Sequence, residues 1–198
     1  MIPILIVGWF LASAVDDFVI LLAWFWTLLD RREGPIWPAP GELPAEPERR
    51  IAIFVPAWRE EAVIARMLEQ NTAALRYRSY RILVGTYPND RATQEAVRSV
   101  AERDNRITLV VGPRPGPTSK ADCLNALYRR MCEIEAQEGR FDLVLIQDAE
   151  DVMHPDELHW KNWFARQYDM VQTAVLPLAT PTFELTHGVY CDDFAEYH

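Results

Sequence analysis

The chain has 198 residues, 49% of them apolar, a formal charge of −9 and three cysteines. That length supports one core of about 150 residues plus an appendage, and the apolar content excludes a disordered chain. The acidic balance, without a lysine- or arginine-rich run, argues against nucleic acid as a partner, and Cys123, Cys132 and Cys191, odd in number and lacking CxxC spacing, support neither a disulfide framework nor a zinc site.

From the amino end, Ile2 to Leu29 is nearly all apolar, about 28 residues where roughly 20 suffice to cross a hydrocarbon core. One uncleaved transmembrane helix over residues 1–30 is expected, because no basic segment precedes it and no small-residue cleavage site comes after it. Asp16 and Asp17 interrupt its centre and are expected to face protein or water, with a re-entrant or interfacial segment as the alternative. Arg31 and Arg32 come next, and the positive-inside rule places the rest of the chain in the cytoplasm. Residues 31–50 carry Pro35, Pro38, Pro40, Pro44 and Pro47, a composition that predicts an extended linker or a strap along the membrane face. Trp37, with Ile36, is the part of it suited to burial or to the lipid interface.

Residues 51–198 then alternate. Ile51–Pro56 predicts a strand, Glu60–Leu75 a helix with Val63, Ile64, Met67, Leu68 and Leu75 on one side, and Arg81–Tyr87 the next strand. Arg91–Asp104 predicts a helix with Ala96, Val97, Val100 and Ala101 inward, Ile107–Val111 a strand, and Ser119–Glu138 a long helix with Leu124, Leu127, Met131 and Ile134 inward. Leu143–Ile146 is a short apolar run expected to be a strand buried on both faces. A helix opened by Pro155, with Asp156 and Glu157 in its first turn, and an apolar run at Thr173–Leu178 complete the pattern. This alternation predicts an α/β fold: a mainly parallel, Rossmann-like sheet with helices on both faces and right-handed crossovers.

In such a sheet, ligands bind outside the carboxyl ends of the strands. Asp148, Glu150 and Asp151 fall where the acidic strand leaves the sheet. Carboxylates crowded there repel one another, and a hard cation such as Mg²⁺ or Mn²⁺ between them and a phosphate would relieve that repulsion. The alternative is a plain strand-to-helix loop in which Asp151 serves as a cap for the next element. Three more loops share the edge. Trp58 and Glu60 come after the first strand, where an aromatic beside an acid can stack on a base and accept from its ring or a ribose hydroxyl; an ordinary helix start is the alternative. Asp90 after the second strand is placed as an N-cap. Lys120, in the first helical turn after a proline- and glycine-rich loop, is electrostatically misplaced unless it meets an anion, which makes it the candidate diphosphate contact; a solvated surface lysine is the alternative.

Val-Pro-Ala-Trp-Arg-Glu, Thr-Tyr-Pro-Asn-Asp, Gly-Pro-Thr-Ser-Lys-Ala-Asp-Cys-Leu-Asn and Asp-Ala-Glu-Asp, in this order, resemble the donor half of the inverting family-two glycosyltransferases. Over nearly the whole chain the sequence also resembles the phage adsorption protein B family of the bacterial inner membrane. The resemblance implies a GT-A-like fold that binds a nucleotide-sugar, a UDP-sugar in the first instance, through a divalent cation, with a cell-envelope glycan or lipid-linked molecule as acceptor. It places Ala57, Trp58 and Glu60 at the nucleoside, Lys120 at the diphosphate, and Asp148 with Glu150 in the Asp-x-Asp metal motif, while leaving open whether Glu150 or Asp151 completes it. Gly85 and Thr86 stand where the family has paired aspartates, so base recognition falls to Asp90, to Trp58 or to neither. The family's general base belongs to a motif that no segment after Asp151 matches, so it is expected beyond residue 198, in the remainder of a longer enzyme. A nucleotidyltransferase would carry a glycine-rich loop after the first strand, and Pro56–Glu61 has no glycine. The non-enzymatic alternative is a membrane-anchored receptor or scaffold that keeps a nucleotide pocket without the chemistry.

Overall fold

The computed structural model describes residues 2–29, 38 and 42–173. These fall into two compact units, Met1–Pro44 and Ala45–His198. In the first, Ile2–Leu29 forms helix α1, with Phe10, Leu11, Val15, Phe18 and Trp26 all more than half exposed. Among the described residues no helix is long and apolar enough to cross a membrane. The side chains of Asp16 and Asp17, and the segment around Trp37, lie outside the described residues.

The second unit is built on four strands, β1 Ile51–Pro56, β2 Tyr80–Thr86, β3 Ile107–Val111 and β4 Leu143–Ile146. They lie in the order β3-β2-β1-β4, and every pairing is parallel. The connecting helices are α2 Ile64–Ala74, α3 Arg91–Ala101 and α4 Lys120–Glu138, with α5 Glu157–Phe164 after β4. The two-residue period of the strands divides the core between two faces. Ile51, Ile53 and Val55 of β1 join Ile82 and Val84 of β2 under α2, α3 and Leu158 of α5. Ala52, Phe54 and Leu83 point the other way, onto Leu127, Met131 and Ile134 of α4.

Several expectations need correction: Val63, expected on the inward side of the α2 segment, is exposed, and β2 runs Tyr80–Thr86 rather than Arg81–Tyr87. β4 is not buried on both faces: Val144 and Ile146 are each about half exposed, at 51% and 52%, because β4 is an edge of the described sheet and α4 covers the strands beyond it. Helix α2 starts at Ile64 rather than Glu60, since the Glu60 carbonyl accepts from both Val63 and Ile64 (3.1 and 2.9 Å) in a separate turn. In α4 the fully buried stripe is Cys123, Leu127, Met131 and Ile134, with Leu124 half-buried against it. The apolar run at Thr173–Leu178 lies, after its first residue, outside the described residues.

The end of the proline-rich segment is tied to the sheet's amino edge. The Glu48 carboxylate accepts from the Arg78 and Ser79 amides, both at 2.9 Å. Buried Asn162 of α5 accepts from Arg49 Nε at 2.8 Å and donates to the Pro47 carbonyl at 3.0 Å. These contacts anchor residues 47–49 opposite the edge where the strands end in loops.

Candidate active site

The strand order reverses at β1. The chain steps outward from β1 to β2 and β3, then crosses behind the sheet in α4 and returns to pair β4 on the other side of β1. Such a switch point opens a crevice between the two outgoing loops, here those after β1 and β4. Backbone bonds extend the strands into these loops: Ala57 N to Gly85 O and Gly112 N to Thr86 O, both 2.8 Å, and Gln147 N to Phe54 O, 2.9 Å.

After β1, Ala57 is buried and Arg59 is left-handed, at φ 59°. That conformation costs a residue with a Cβ about 1–2 kcal/mol. It is held from the next loop: the Arg59 amide donates to Asp90 Oδ2 at 2.7 Å, and the Glu60 amide donates to Thr93 Oγ1 at 3.0 Å. Asp90 is 6% exposed and its other oxygen caps α3 by accepting from the Thr93 amide. Its carboxylate is therefore committed to shaping the β1 loop and to the cap.

Trp58 is expected to present its ring to a base, yet much of that ring meets protein. Its edge-on partner is Tyr87, with centroids 5.1 Å apart, and the Arg59 guanidinium lies over it at 5.2 Å. Gly116 packs so closely that a Cβ there would come within 2.6 Å of Trp58 and 2.8 Å of Tyr87. Asn89 fastens the same glycine, its amide nitrogen donating to Gly116 O and its oxygen accepting from Gly116 N, both at 2.7 Å. The loops after β1, β2 and β3 are thus interlocked around Gly116.

That lock fixes the start of α4. Ser119 caps the helix by accepting from the Asp122 amide, and Lys120 comes next. The anion that Lys120 meets is a side chain of the chain itself: Nζ lies 2.5 Å from Asp148 Oδ1, with both groups about half exposed.

The acidic loop alternates inward and outward. Ala149 and Met153 are buried in the core, while Asp148 and Glu150 point out and Asp151 is partly covered. Burial first, then the charges of Asp148 and Glu150, push the Asp151 carboxyl above its ordinary range. Across the crevice the Glu60 carboxyl is also raised, by burial and then by Glu150, Glu61 and Asp90. The loops after β1 and β4 therefore share one negative field. Among the described residues no three acids, histidines or cysteines form a metal cage by themselves. Magnesium and manganese are instead commonly held by one or two carboxylates plus phosphate oxygens. Hard oxygen donors in a shared negative field fit such an ion.

Sequence reasoning missed Asn89, Tyr87 and Gly116 as a unit, and it missed Asn71. Asn71 is 1% exposed on the inner face of α2, its Nδ2 donating to Asp151 O at 3.1 Å and its Oδ1 accepting from Met153 N at 2.9 Å. The readable signal was a lone amide on an otherwise apolar stripe with Ile64, Met67 and Leu68.

Comparison with known proteins agrees with this architecture. The chain is 38% identical over 191 residues to bacteriophage adsorption protein B of Escherichia coli K12, and equally to bacteriophage N4 adsorption protein B of Escherichia coli O157:H7. Each alignment covers 94% of this chain and 26% of the relative, so the chain spans about a quarter of their length. A mannosyltransferase from Pyrobaculum calidifontis, solved in complex with GDP-Man and Mn²⁺, superposes with a TM-score of 0.58 at 20% identity, covering 89% of this chain and 48% of that one. That likeness supports a GT-A-like fold. The profile of the Glycosyltransferase like family 2 matches residues 47–198, three-quarters of the chain, and the chain belongs to that family.

Proposed function

We propose that this chain is the donor-binding half of a membrane-anchored inverting glycosyltransferase, taking a nucleoside-diphosphate sugar with Mg²⁺ or Mn²⁺. The observation that carries the reading is the pair of outward carboxylates, Asp148 and Glu150, on the loop after β4, sharing a negative field with Glu60 after β1. Asp148 with Glu150 or Asp151 would hold the ion. When bound, the ion neutralises the charge of the diphosphate that departs with the nucleoside. Lys120, already at the loop, would contact a phosphate oxygen as a point charge. Ala57, Trp58 and Glu60 would bound the nucleoside, with Trp58 contributing through the shape of the interlocked loops as much as through its ring. Asp90 would act through the Arg59 turn.

The GDP-Man and Mn²⁺ of the Pyrobaculum enzyme support a metal–nucleotide pair here and give reason to test guanosine beside uridine. Acceptor deprotonation is assigned to no described residue. The acceptor, a cell-envelope glycan or lipid-linked molecule, belongs to the same proposal.

The membrane anchor does too. Counted over all 28 residues rather than the described side chains alone, Ile2–Leu29 runs about 42 Å at 1.5 Å per residue, against a hydrocarbon core of about 30 Å. Large apolar side chains exposed along α1 favour lipid as their surroundings.

Calorimetric titration of UDP and of GDP into the chain, with and without Mn²⁺, tests the donor site beside Asp148→Ala. Metal-dependent binding that Asp148→Ala abolishes supports the reading. A folded chain that binds neither nucleotide refutes it; binding without transfer by a full-length homologue favours the scaffold alternative.

A further inference from the structure

We infer that Asn71 is the positioning residue of the metal–diphosphate loop, holding the backbone of residues 151–153 so that Asp148, Glu150 and Asp151 present their carboxylates together. The inference rests on the donor-site reading above and deepens it. Asn71 lies on the core face of α2, beside Met67 and Leu68, where burying an amide is unfavourable unless its hydrogen bonds are made. All its bonding is local to that problem: Nδ2 donates to Asp151 O and to Met67 Sδ, both at 3.1 Å, and Oδ1 accepts from Met153 N at 2.9 Å. The two bonds to the loop reach 80 and 82 residues along the chain.

The loop is pinned at its ends, by Gln147 N to Phe54 O at 2.9 Å and Arg76 N to Pro155 O at 3.0 Å, and has little backbone bonding of its own between them. Its internal bond, Asp151 N to Asp148 O, is long at 3.3 Å. Ala149 and Met153 pack inward, which sets depth but not the rotation of the peptide between them. An amide supplies one donor and one acceptor to the carbonyl of Asp151 and the N–H of Met153, as a neighbouring strand would. A carboxylate offers only acceptors and an aliphatic side chain neither. Helix α2 also begins directly behind the turn that carries Glu60, so Asn71 ties the two sides of the switch point together. Asp148, Glu150 and Asp151 set three carboxylates within four residues, a crowding that favours splaying of this loop, and the amide opposes it.

The test uses the whole chain, with Asn71→Ala, the similarly branched Asn71→Leu, and Leu68→Ala as a control that opens a core cavity on the same helix while leaving both Asn71 bonds to the loop in place. Two readouts are taken: amide hydrogen exchange at Met153, and Mn²⁺-dependent affinity for UDP or GDP. The expected result is exchange at Met153 at least 100-fold faster and affinity at least tenfold weaker in either Asn71 variant, with Leu68→Ala within twofold of the parent affinity. Asn71→Leu keeps the test valid if the alanine variant does not fold. Unchanged exchange at Met153 overturns the inference, since the clamp is then absent. Faster exchange with unchanged affinity also overturns it while leaving the donor site standing, because the parent still binds. If the parent chain itself shows no metal-dependent nucleotide binding, the donor-site reading fails and the inference with it.

Discussion

Lys120 Nζ lies 2.5 Å from Asp148 Oδ1, joining the first residue of α4 to the loop that leaves β4. The two groups serve opposite ends of the proposed ligand, one a phosphate and the other a cation, and here each satisfies the other. Any cation at Asp148 competes with Lys120 for the carboxylate, and any phosphate competes with Asp148 for the ammonium.

Lys120→Met therefore separates the two halves of the site. Mn²⁺ alone is expected to bind about two- to fivefold more tightly, the worth of an exposed ion pair. Mn²⁺-dependent UDP or GDP affinity is expected to fall about tenfold, since a charge-assisted phosphate contact is lost. Calorimetry with metal alone and with metal plus nucleotide checks both, and a parallel change in the two affinities would contradict the arrangement.

Asp90 carries two loops at once. Asp90→Ala removes the cap from α3 and leaves the buried side of the Arg59 turn without an acceptor. The expected cost is about 2–3 kcal/mol, roughly 1 for the cap and the remainder for the orphaned amide. Asp90→Asn, which keeps one oxygen and offers no charge, should recover about half of that. Urea unfolding midpoints measure it.

Gly116 is where three loops meet. In Gly116→Ala the new methyl would collide with Trp58 and Tyr87, and the rings have no slack, being packed edge to face. Overpacking of this kind costs about 1–3 kcal/mol. Asn89→Ala loses the two 2.7 Å bonds to Gly116 at about 1 kcal/mol each, and combining the two changes should cost less than their sum because they break the same lock. A double-mutant cycle in urea decides the point.

The strands were legible because β1 and β4 read as unbroken apolar runs and β3 as a short, largely apolar run closed by Gly112 and Pro113; the β1, β3 and β4 limits agree with the sequence reading to the residue. The start of α3 at Arg91 was legible from its cap, since Asp90 can serve an α3 amide from only one place, whereas its end falls at Ala101 rather than at the expected Asp104. What stayed hidden are contacts between residues far apart in sequence. Asn71, Asn89 and Trp58 have neighbours 27 to 82 residues away, and no local period encodes them. The exposed face of β4 was also unreadable, because an apolar run says that a strand wants cover, not which elements supply it. Lys120 shows the reverse case: the sequence demanded an anion, and only the fold could say that Asp148 stands beside it.

Asp104 offers a pH signature away from the crevice. The hydrogen bonds from Arg106 hold its carboxyl below the ordinary range, with burial opposing them. Arg106 donates to Asp104 Oδ2 at 2.6 Å, to Tyr80 OH at 2.7 Å and to Thr72 O at 3.3 Å, so the pair ties the end of α3 to β2 and α2. A depressed folded pKa means that the stabilisation is complete above the unfolded value of about 3.9 and is lost as the pH falls through the folded value. Asp104→Asn is expected to cost about 1–2 kcal/mol at pH 7, and the gap to the parent should narrow below about pH 4 as the parent's own carboxylate takes up its proton. Urea unfolding of both chains from pH 7 to pH 2.5 reads this directly. A gap that stays constant across that range would show that Arg106 is held by Tyr80 and Thr72 rather than by Asp104.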